Sequence, residues 1–140
     1  MLKHITAAVA AIVIAGSASA GETPAPEGAA VYFIGLEDGA TVSNPVTIRF
    51  GLAGMGVAPA GHDQKKTGHH HLIINEAIEG EELDYPIPAD DNHIHFGGGQ
   101  TEVTLDLPAG THTLQLVLGD WSHIPHNPPV MSDRITVTVE

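Results

Sequence analysis

The chain contains no cysteine, so it has neither disulfide bonds nor thiolate ligands for a metal ion. Basic residues are scarce as well, since 17 acidic residues accompany only five lysines and arginines and the formal net charge is −12. A surface this acidic repels nucleic acids and anionic lipids and attracts cations. Nucleic acid is therefore excluded as a partner, and any bound metal must be held mainly by nitrogen and oxygen.

Helical periodicity and familiar catalytic motifs are missing too. No segment keeps a 3.6-residue apolar repeat over three turns. The chain lacks a hydrolase nucleophile elbow, a phosphate-binding glycine-rich loop with lysine, and a His-Glu-x-x-His helix. Three imidazoles and a water would still make an open catalytic zinc site. Because nothing fixes a substrate or a reaction, the sequence favours binding over catalysis.

Residues 1–20 have the three parts of a secretory signal peptide. Lys3 and His4 form a basic start, an apolar run extends from Ile5 to Ala15, and small residues follow at positions 18–20. The apolar run is too short to span a membrane comfortably. We therefore predict cleavage before Gly21 and a periplasmic or secreted protein that is not inserted in the membrane.

The rest of the chain is long enough for one domain with a modest core. Residues 21–29 are rich in small residues and proline without apolar periodicity, which predicts a flexible lead-in. Residues 30–140 are predicted to form a single histidine-rich domain.

Alternation of apolar and polar residues predicts short β-strands, each with one buried face. The two segments around Pro108-Ala109-Gly110 are expected to form a hairpin. About seven strands indicate an all-β fold, an immunoglobulin-like or fibronectin-like β-sandwich, with a jelly roll or a small barrel as the alternative. The predicted strands are 30–34, 46–52, 69–75, 93–96, 102–107, 111–118 and 134–139.

Two pairs of histidines stand two residues apart on predicted strands, His69 with His71 and His93 with His95. Alternate residues of a strand lie on one face about 7 Å apart, so two imidazoles can converge on one ion. If the two strands are neighbours, four imidazoles face each other, a ligand set that suits copper or zinc. Histidines of the loop after Trp121 can complete the set. The predicted ligands are His69, His71, His93, His95, His123 and His126.

Strand alternation gives the remaining histidines of these segments another role. His70 is predicted to share the core face with Leu72 and Ile74, and His112 to be a hydrogen-bonded core residue. Asp120 is a candidate partner that orients an imidazole.

A second hypothesis needs no metal. The histidines would form a structural hydrogen-bond network in a non-catalytic envelope module, which binds a protein or a glycan partner through loops 53–66 and 119–133. Under this hypothesis, alanine at His69 or His93 lowers stability without changing the metal content.

Several longer motifs resemble a bacterial domain of unknown function found in exported proteins. They are Gly-Met-Gly-Val-Ala-Pro-Ala-Gly at 54–61, Thr-Gly-His-His-His-Leu at 67–72, His-Ile-His-Phe-Gly-Gly-Gly-Gln-Thr-Glu at 93–102 and His-Ile-Pro-His-Asn-Pro-Pro-Val at 123–130. The resemblance covers nearly all of residues 31–139. It implies an exported single-domain protein and transfers no catalytic role.

Overall fold

The computed structural model describes residues 21–140, and the predicted signal peptide lies outside the described residues. Within residues 21–140, nine strands form two sheets. The first has the order β1-β3-β7, and the second has the order β2-β9-β8-β5-β4 with β6 added beside β5. The strands are β1 Ala30–Ile34, β2 Thr41–Val42, β3 Val46–Ala53, β4 Gly56–Val57, β5 Thr67–Ile74, β6 His93–His95, β7 Glu102–Leu105, β8 Gly110–Gly119 and β9 Ile135–Val139.

The prediction of an all-β sandwich is confirmed. Seven of the nine strands have three or more residues, and β2 and β4 are two-residue additions that pair in parallel with β9 and β5. Strands β1, β3 and β7 occupy one sheet and β5, β8 and β9 the other. This is the distribution of strands A, B, E and C, F, G in an immunoglobulin-like sandwich.

The main core lies between the sheets and is built from every second residue of the long strands. Ile48 and Phe50 of β3 face Leu72 of β5 and Leu116 of β8, and all four are at most 3% exposed. A strand that buries one face must alternate in this way, which explains why the sequence pattern located the strands.

The predicted hairpin between the segments around Pro108 is wrong. Strand β7 pairs with β3 in the first sheet, whereas β8 pairs with β5 and β9 in the second. Both strands point their apolar faces into the same core, but from opposite sheets. The alternation of apolar and polar residues is the same whether two such strands pair in one sheet or face each other across the core, so it could not distinguish the two arrangements. The side chain of Asn44 holds the crossing chain by bonding to both the N–H and the carbonyl of Leu107, at 3.0 and 2.7 Å.

The predicted flexible lead-in is instead held by hydrogen bonds along the loop before β9. The N–H of Ala25 donates to the carbonyl of Asn127 at 2.9 Å, and the N–H of Asn127 donates to the carbonyl of Thr23 at 2.8 Å. Backbone bonds of this kind need no apolar periodicity, so the composition of residues 21–29 gave no signal for them.

A smaller cluster covers the outer face of the second sheet. Ile73 and Val117 of that sheet pack against Ile78 and Ile87 of the connection between β5 and β6, and all four are buried. This connection contains a short 3₁₀ helix at Gly80–Asp84. It also contacts two of the histidines described below, since the carbonyl of Pro88 lies 2.7 Å from Nε2 of His95 and the N–H of Ile87 donates to the carbonyl of His123. Across residues 21–140, no helix has the length and apolar character needed to cross a membrane.

Candidate metal centre

Two histidines of β5 lie next to each other on the outer face of the second sheet. His69 and His71 are both fully buried, and their Nε2 atoms are 2.8 Å apart. His70 lies between them in sequence and points to the inner face, where its ring centroid is 5.2 Å from that of Phe50. The predicted division of the three histidines by strand alternation is therefore confirmed.

A third imidazole reaches the pair from the loop after β8. The Nδ1 atom of His123 lies 3.0 Å from the Nε2 atom of His69, and the side chain is half-buried. The backbone of His123 has a φ of 66°, a left-handed conformation that is uncommon for residues other than glycine. Its N–H donates to the carbonyl of Asp120 at 3.0 Å, and its carbonyl accepts from the N–H of Ile87 at 2.9 Å.

These three side chains form a group with the dimensions of a metal site. One nitrogen of each of His69, His71 and His123 lies within 4.8 Å of the others. Gly119 borders the group, and a Cβ atom at this position would lie 2.5 Å from the Nε2 atom of His71. The glycine thus leaves room for the nitrogens to converge. Three imidazole nitrogens without a thiolate suit Zn(II), Cu(II) or Ni(II).

A family profile described as Domain of unknown function (DUF4399) matches residues 48–140, about two thirds of the chain. The chain belongs to this family. The matched range includes β5, β6 and the loop that carries His123, so the DUF4399 domain contains all three histidines of the group. Neither the curated proteins nor the solved structures include a match to the chain.

His95 stands at the rim of the group in the DUF4399 domain. Strand β6 pairs with β5, which meets the condition for the two histidine pairs to be neighbours, and this pairing places His95 opposite His71. Its ring centroid is 4.3 Å from that of His71 and 4.6 Å from that of His123. The Nε2 atom lies 2.7 Å from the carbonyl oxygen of Pro88, which can only accept, so Nε2 is the donor of this hydrogen bond. His95 is therefore a neighbour of the group and a candidate fourth ligand.

The structure does not bring the other two predicted ligands into the group. The Nδ1 atom of His93 lies 2.7 Å from the carboxylate of Asp90, and its Nε2 atom lies 3.5 Å from that of Glu76. His126 is fully buried, and its Nε2 atom lies 3.1 Å from the carbonyl oxygen of Thr67. Each of the two has its own local partners away from the three converging nitrogens.

Burial keeps the imidazoles neutral. Desolvation, followed by the neighbouring charges of His123 and His95, lowers the pKa of His69 from 6.5 to about 4. Desolvation and then the charge of His69 lower the pKa of His71 to about 2. The pKa of His123 is lowered as well, first by desolvation. At neutral pH the nitrogens therefore retain lone pairs that can bind a cation, because protons compete weakly for them.

Unpartnered nitrogens are concentrated in this part of the molecule. Among residues 21–140, the buried side-chain polar atoms without a hydrogen-bond partner are all histidine nitrogens. They are Nδ1 of His69, both nitrogens of His70, Nδ1 of His71 and Nδ1 of His126. Buried polar atoms without partners are rare in proteins. The unpartnered nitrogens of His69 and His71 are their Nδ1 atoms, whereas the nitrogens of these two residues that converge are the Nε2 atoms.

The second predicted core histidine is fully bonded. The Nδ1 atom of His112 lies 2.9 Å from the side-chain amide of Asn75, and its Nε2 atom donates to the carbonyl of Pro108 at 2.6 Å. The structure therefore confirms the prediction that His112 is a hydrogen-bonded core residue. Gly119 borders the group and was not indicated by the sequence, since glycine has no side-chain ligand atom.

Proposed function

We propose that this DUF4399 protein is exported and binds a transition metal ion, copper or zinc, through His69, His71 and His123. The observation that supports the proposal is the convergence of three neutral imidazole nitrogens, each within 4.8 Å of the others. Imidazole nitrogens bind both metals with bonds of about 2 Å, so modest side-chain movements would bring all three onto one ion.

The bonding capacity of His69 favours a metal over a structural hydrogen-bond network. Its Nε2 atom faces two nitrogens, those of His71 at 2.8 Å and His123 at 3.0 Å. A neutral imidazole nitrogen either donates one proton or offers one lone pair. It therefore satisfies only one of the two contacts well, whereas a cation accepts lone pairs from all three imidazoles at once.

The donor set and the charge of the chain are consistent with a cation as the bound species. The group contains no carboxylate or thiolate, and nitrogen ligands suit copper and zinc better than calcium or magnesium. Three protein nitrogens leave a further position on a four-coordinate ion for water or for His95. The acidic chain, with its formal charge of −12, attracts cations from solution.

Calorimetric titration of an untagged protein of residues 21–140 with Cu(II) and Zn(II) tests the proposal. We expect one ion per chain and a Kd below about 10 μM for at least one of the two metals. His71→Ala removes one of three ligands and should weaken metal binding at least about 10-fold, since even the loss of a residue that only orients a metal ligand often has an effect of this size. His62→Ala, in an exposed loop, is the matched control and should leave the affinity unchanged. Weaker binding of both metals by the unaltered chain would overturn the proposal.

Export is supported by the basic start, the apolar run and the small-residue site of residues 1–20. In an exporting host, we expect the protein in the periplasm or the medium, with Gly21 as its first residue. Sequencing the N-terminus of the purified protein tests this expectation. Recovery from the cytoplasm with the first 20 residues intact would contradict it.

A second candidate function is that of an envelope interaction module. One surface feature favours it, a cavity of about 640 Å³ that is lined by Trp121, Lys65 and Lys66 among others. Trp121 is 46% exposed and offers a large apolar contact surface. A photo-crosslinking residue at position 121 should then capture one defined envelope protein. The same residue at Tyr85, which is 64% exposed, should capture none, and equal labelling at both positions would argue against a partner site.

A further inference from the structure

The N-terminal segment of the described chain runs along the loop that supplies the third histidine. Pro24 forms an isolated parallel bridge with Asn127, and two backbone hydrogen bonds of 2.8 and 2.9 Å flank it. We call residues 21–25 the strap. Its contacts join the first described residues to positions about a hundred residues later, beside the candidate metal centre.

The first residue of the strap occupies a position that only glycine fits. Gly21 is buried with a φ of 60°, and a Cβ atom there would clash with the carbonyl oxygen of Pro125. Its nitrogen donates to the carboxylate of Asp84 at 2.9 Å. If the signal peptide is removed before Gly21, this nitrogen becomes an ammonium group and the contact becomes a charge-assisted hydrogen bond.

One side-chain hydrogen bond connects the strap to the turn that carries His123. The hydroxyl of Thr23 donates to Oδ2 of Asp120 at 2.7 Å. The other oxygen of this carboxylate accepts from the N–H groups of Ser122 and Ile124 at 2.8 and 3.0 Å. Asp120 is only 4% exposed, so these bonds are shielded from water. Its carboxylate thus joins the strap to both sides of His123.

We propose that the strap positions His123 for metal binding, with Thr23 and Asp120 as positioning residues. The inference rests on the proposed metal site. His123 is held in a left-handed conformation, and such conformations persist only where the surrounding structure imposes them. Without the Thr23 hydroxyl, one carboxylate oxygen of Asp120 loses its donor and the turn becomes free to relax. His69 and His71 remain on β5, so the expected result is weaker binding and not a loss of the fold.

The test compares three threonine variants of the protein of residues 21–140. Thr23→Val keeps the shape of the side chain and removes the hydroxyl, whereas Thr23→Ser keeps the hydroxyl. Thr47→Val is the matched control, since its hydroxyl lies 2.8 Å from that of Thr104 on the exposed side of the first sheet. Cu(II) and Zn(II) affinities by competition titration are measured together with Tm.

We expect Thr23→Val to lower metal affinity about 10-fold, in the range of other residues that orient metal ligands. The metal affinities of Thr23→Ser and Thr47→Val should stay within about twofold of that of the unaltered chain. A general loss of stability would not separate Thr23→Val from the other two variants in this way. An unchanged metal affinity in Thr23→Val would refute the positioning role of the strap and would leave the proposal of the metal site standing.

If the unaltered chain binds neither metal, the proposed function fails and the strap is still tested on the metal-free protein. Hydrogen exchange at the amides of Ser122 and Ile124 reports directly on the turn, because both amides donate to Asp120. Thr23→Val should speed their exchange, and Thr47→Val should not. Equal exchange in both variants would overturn the positioning role.

Discussion

Gly119 leaves open the space that the imidazole of His71 occupies. A Cβ atom on Gly119 would lie 2.5 Å from Nε2 and 3.0 Å from Cδ2 of His71, and 3.4 Å from the Cα of His123. The glycine ends β8, directly opposite His69 in the sheet. Gly119, which has no side chain, therefore lies between the strand that carries His69 and His71 and the loop that supplies His123.

Replacement of Gly119 by alanine should disable the metal centre. The new methyl group must displace the His71 ring, so we expect metal affinity to fall at least about 10-fold and the free energy of unfolding to fall by about 1–3 kcal/mol. Gly56→Ala is the control, because its nearest neighbour would be the Cγ2 atom of Thr67 at 3.8 Å. Calorimetry and urea denaturation of both variants check the prediction. Metal binding by Gly119→Ala with unaltered affinity would refute it.

His70→Phe should stabilise the protein. Both nitrogens of His70 are buried without partners, and its ring packs against Phe50 in the main core. An apolar ring removes the cost of the unsatisfied nitrogens, so we expect a gain of about 1 kcal/mol in the free energy of unfolding, measured in urea. Metal affinity should not change, because His70 points away from His69 and His71. A large loss of affinity would instead place His70 in the site.

The stability of the metal-free protein should fall in mild acid. The pKa values of His69 and His70 in the folded protein are lowered from 6.5 to about 4, chiefly by desolvation, and that of His71 to about 2. Below pH 6.5, the unfolded chain binds protons that the folded protein does not, so acid favours unfolding. The stability is complete above this pH and decreases toward about pH 4, by about 1 kcal/mol per pH unit for each histidine.

Urea denaturation between about pH 7 and about pH 4.5 measures this dependence. The pKa of Asp90 is lowered below 3.8 by its hydrogen bond with His93, so this carboxylate does not titrate within the window. His70→Phe should reduce the slope by the share of one histidine, and Thr47→Val, which removes no titratable group, should leave it unchanged. A stability that stays constant over this range would contradict the lowered pKa values.

The sequence predicted those features that follow from strand alternation. His69 and His71 were separated from His70 because one face of β5 meets the core, and the same reasoning located most of the strands. Sheet membership could not be predicted in this way, since β7 and β8 show the same alternation in separate sheets. The neighbouring position of the two histidine strands entered the sequence analysis only as a condition, and the observed pairing of β6 with β5 places His95 opposite His71.

The composition of the site was predictable only in part. His123 was a candidate because it lies in a histidine-containing loop, but the sequence offered no means of separating it from His126. Their difference arises from the turn that Asp120 closes, which directs one imidazole to the outer face while the other bonds to the carbonyl of Thr67. His93 shares its strand with His95, yet Asp90 and Glu76 engage its two nitrogens.

Cu(II) should quench the fluorescence of Trp121, whereas Zn(II) should not. Trp121 is the chain's single tryptophan and stands two residues before His123, so its emission reports on the candidate centre without interference. Cu(II) is paramagnetic and quenches nearby aromatic emission, whereas Zn(II) has a filled d shell. We expect quenching to saturate at one Cu(II) per chain, and Zn(II), if it occupies the same nitrogens, should reverse it in proportion to its affinity.

Two variants test whether the quenching arises at His123. His123→Ala should require more Cu(II) for the same quenching, whereas His112→Asn, at a bonded core histidine, should give the same titration curve as the unaltered chain. Quenching that increases linearly with Cu(II) in all three proteins would indicate collisions in solution and would exclude a site at His123.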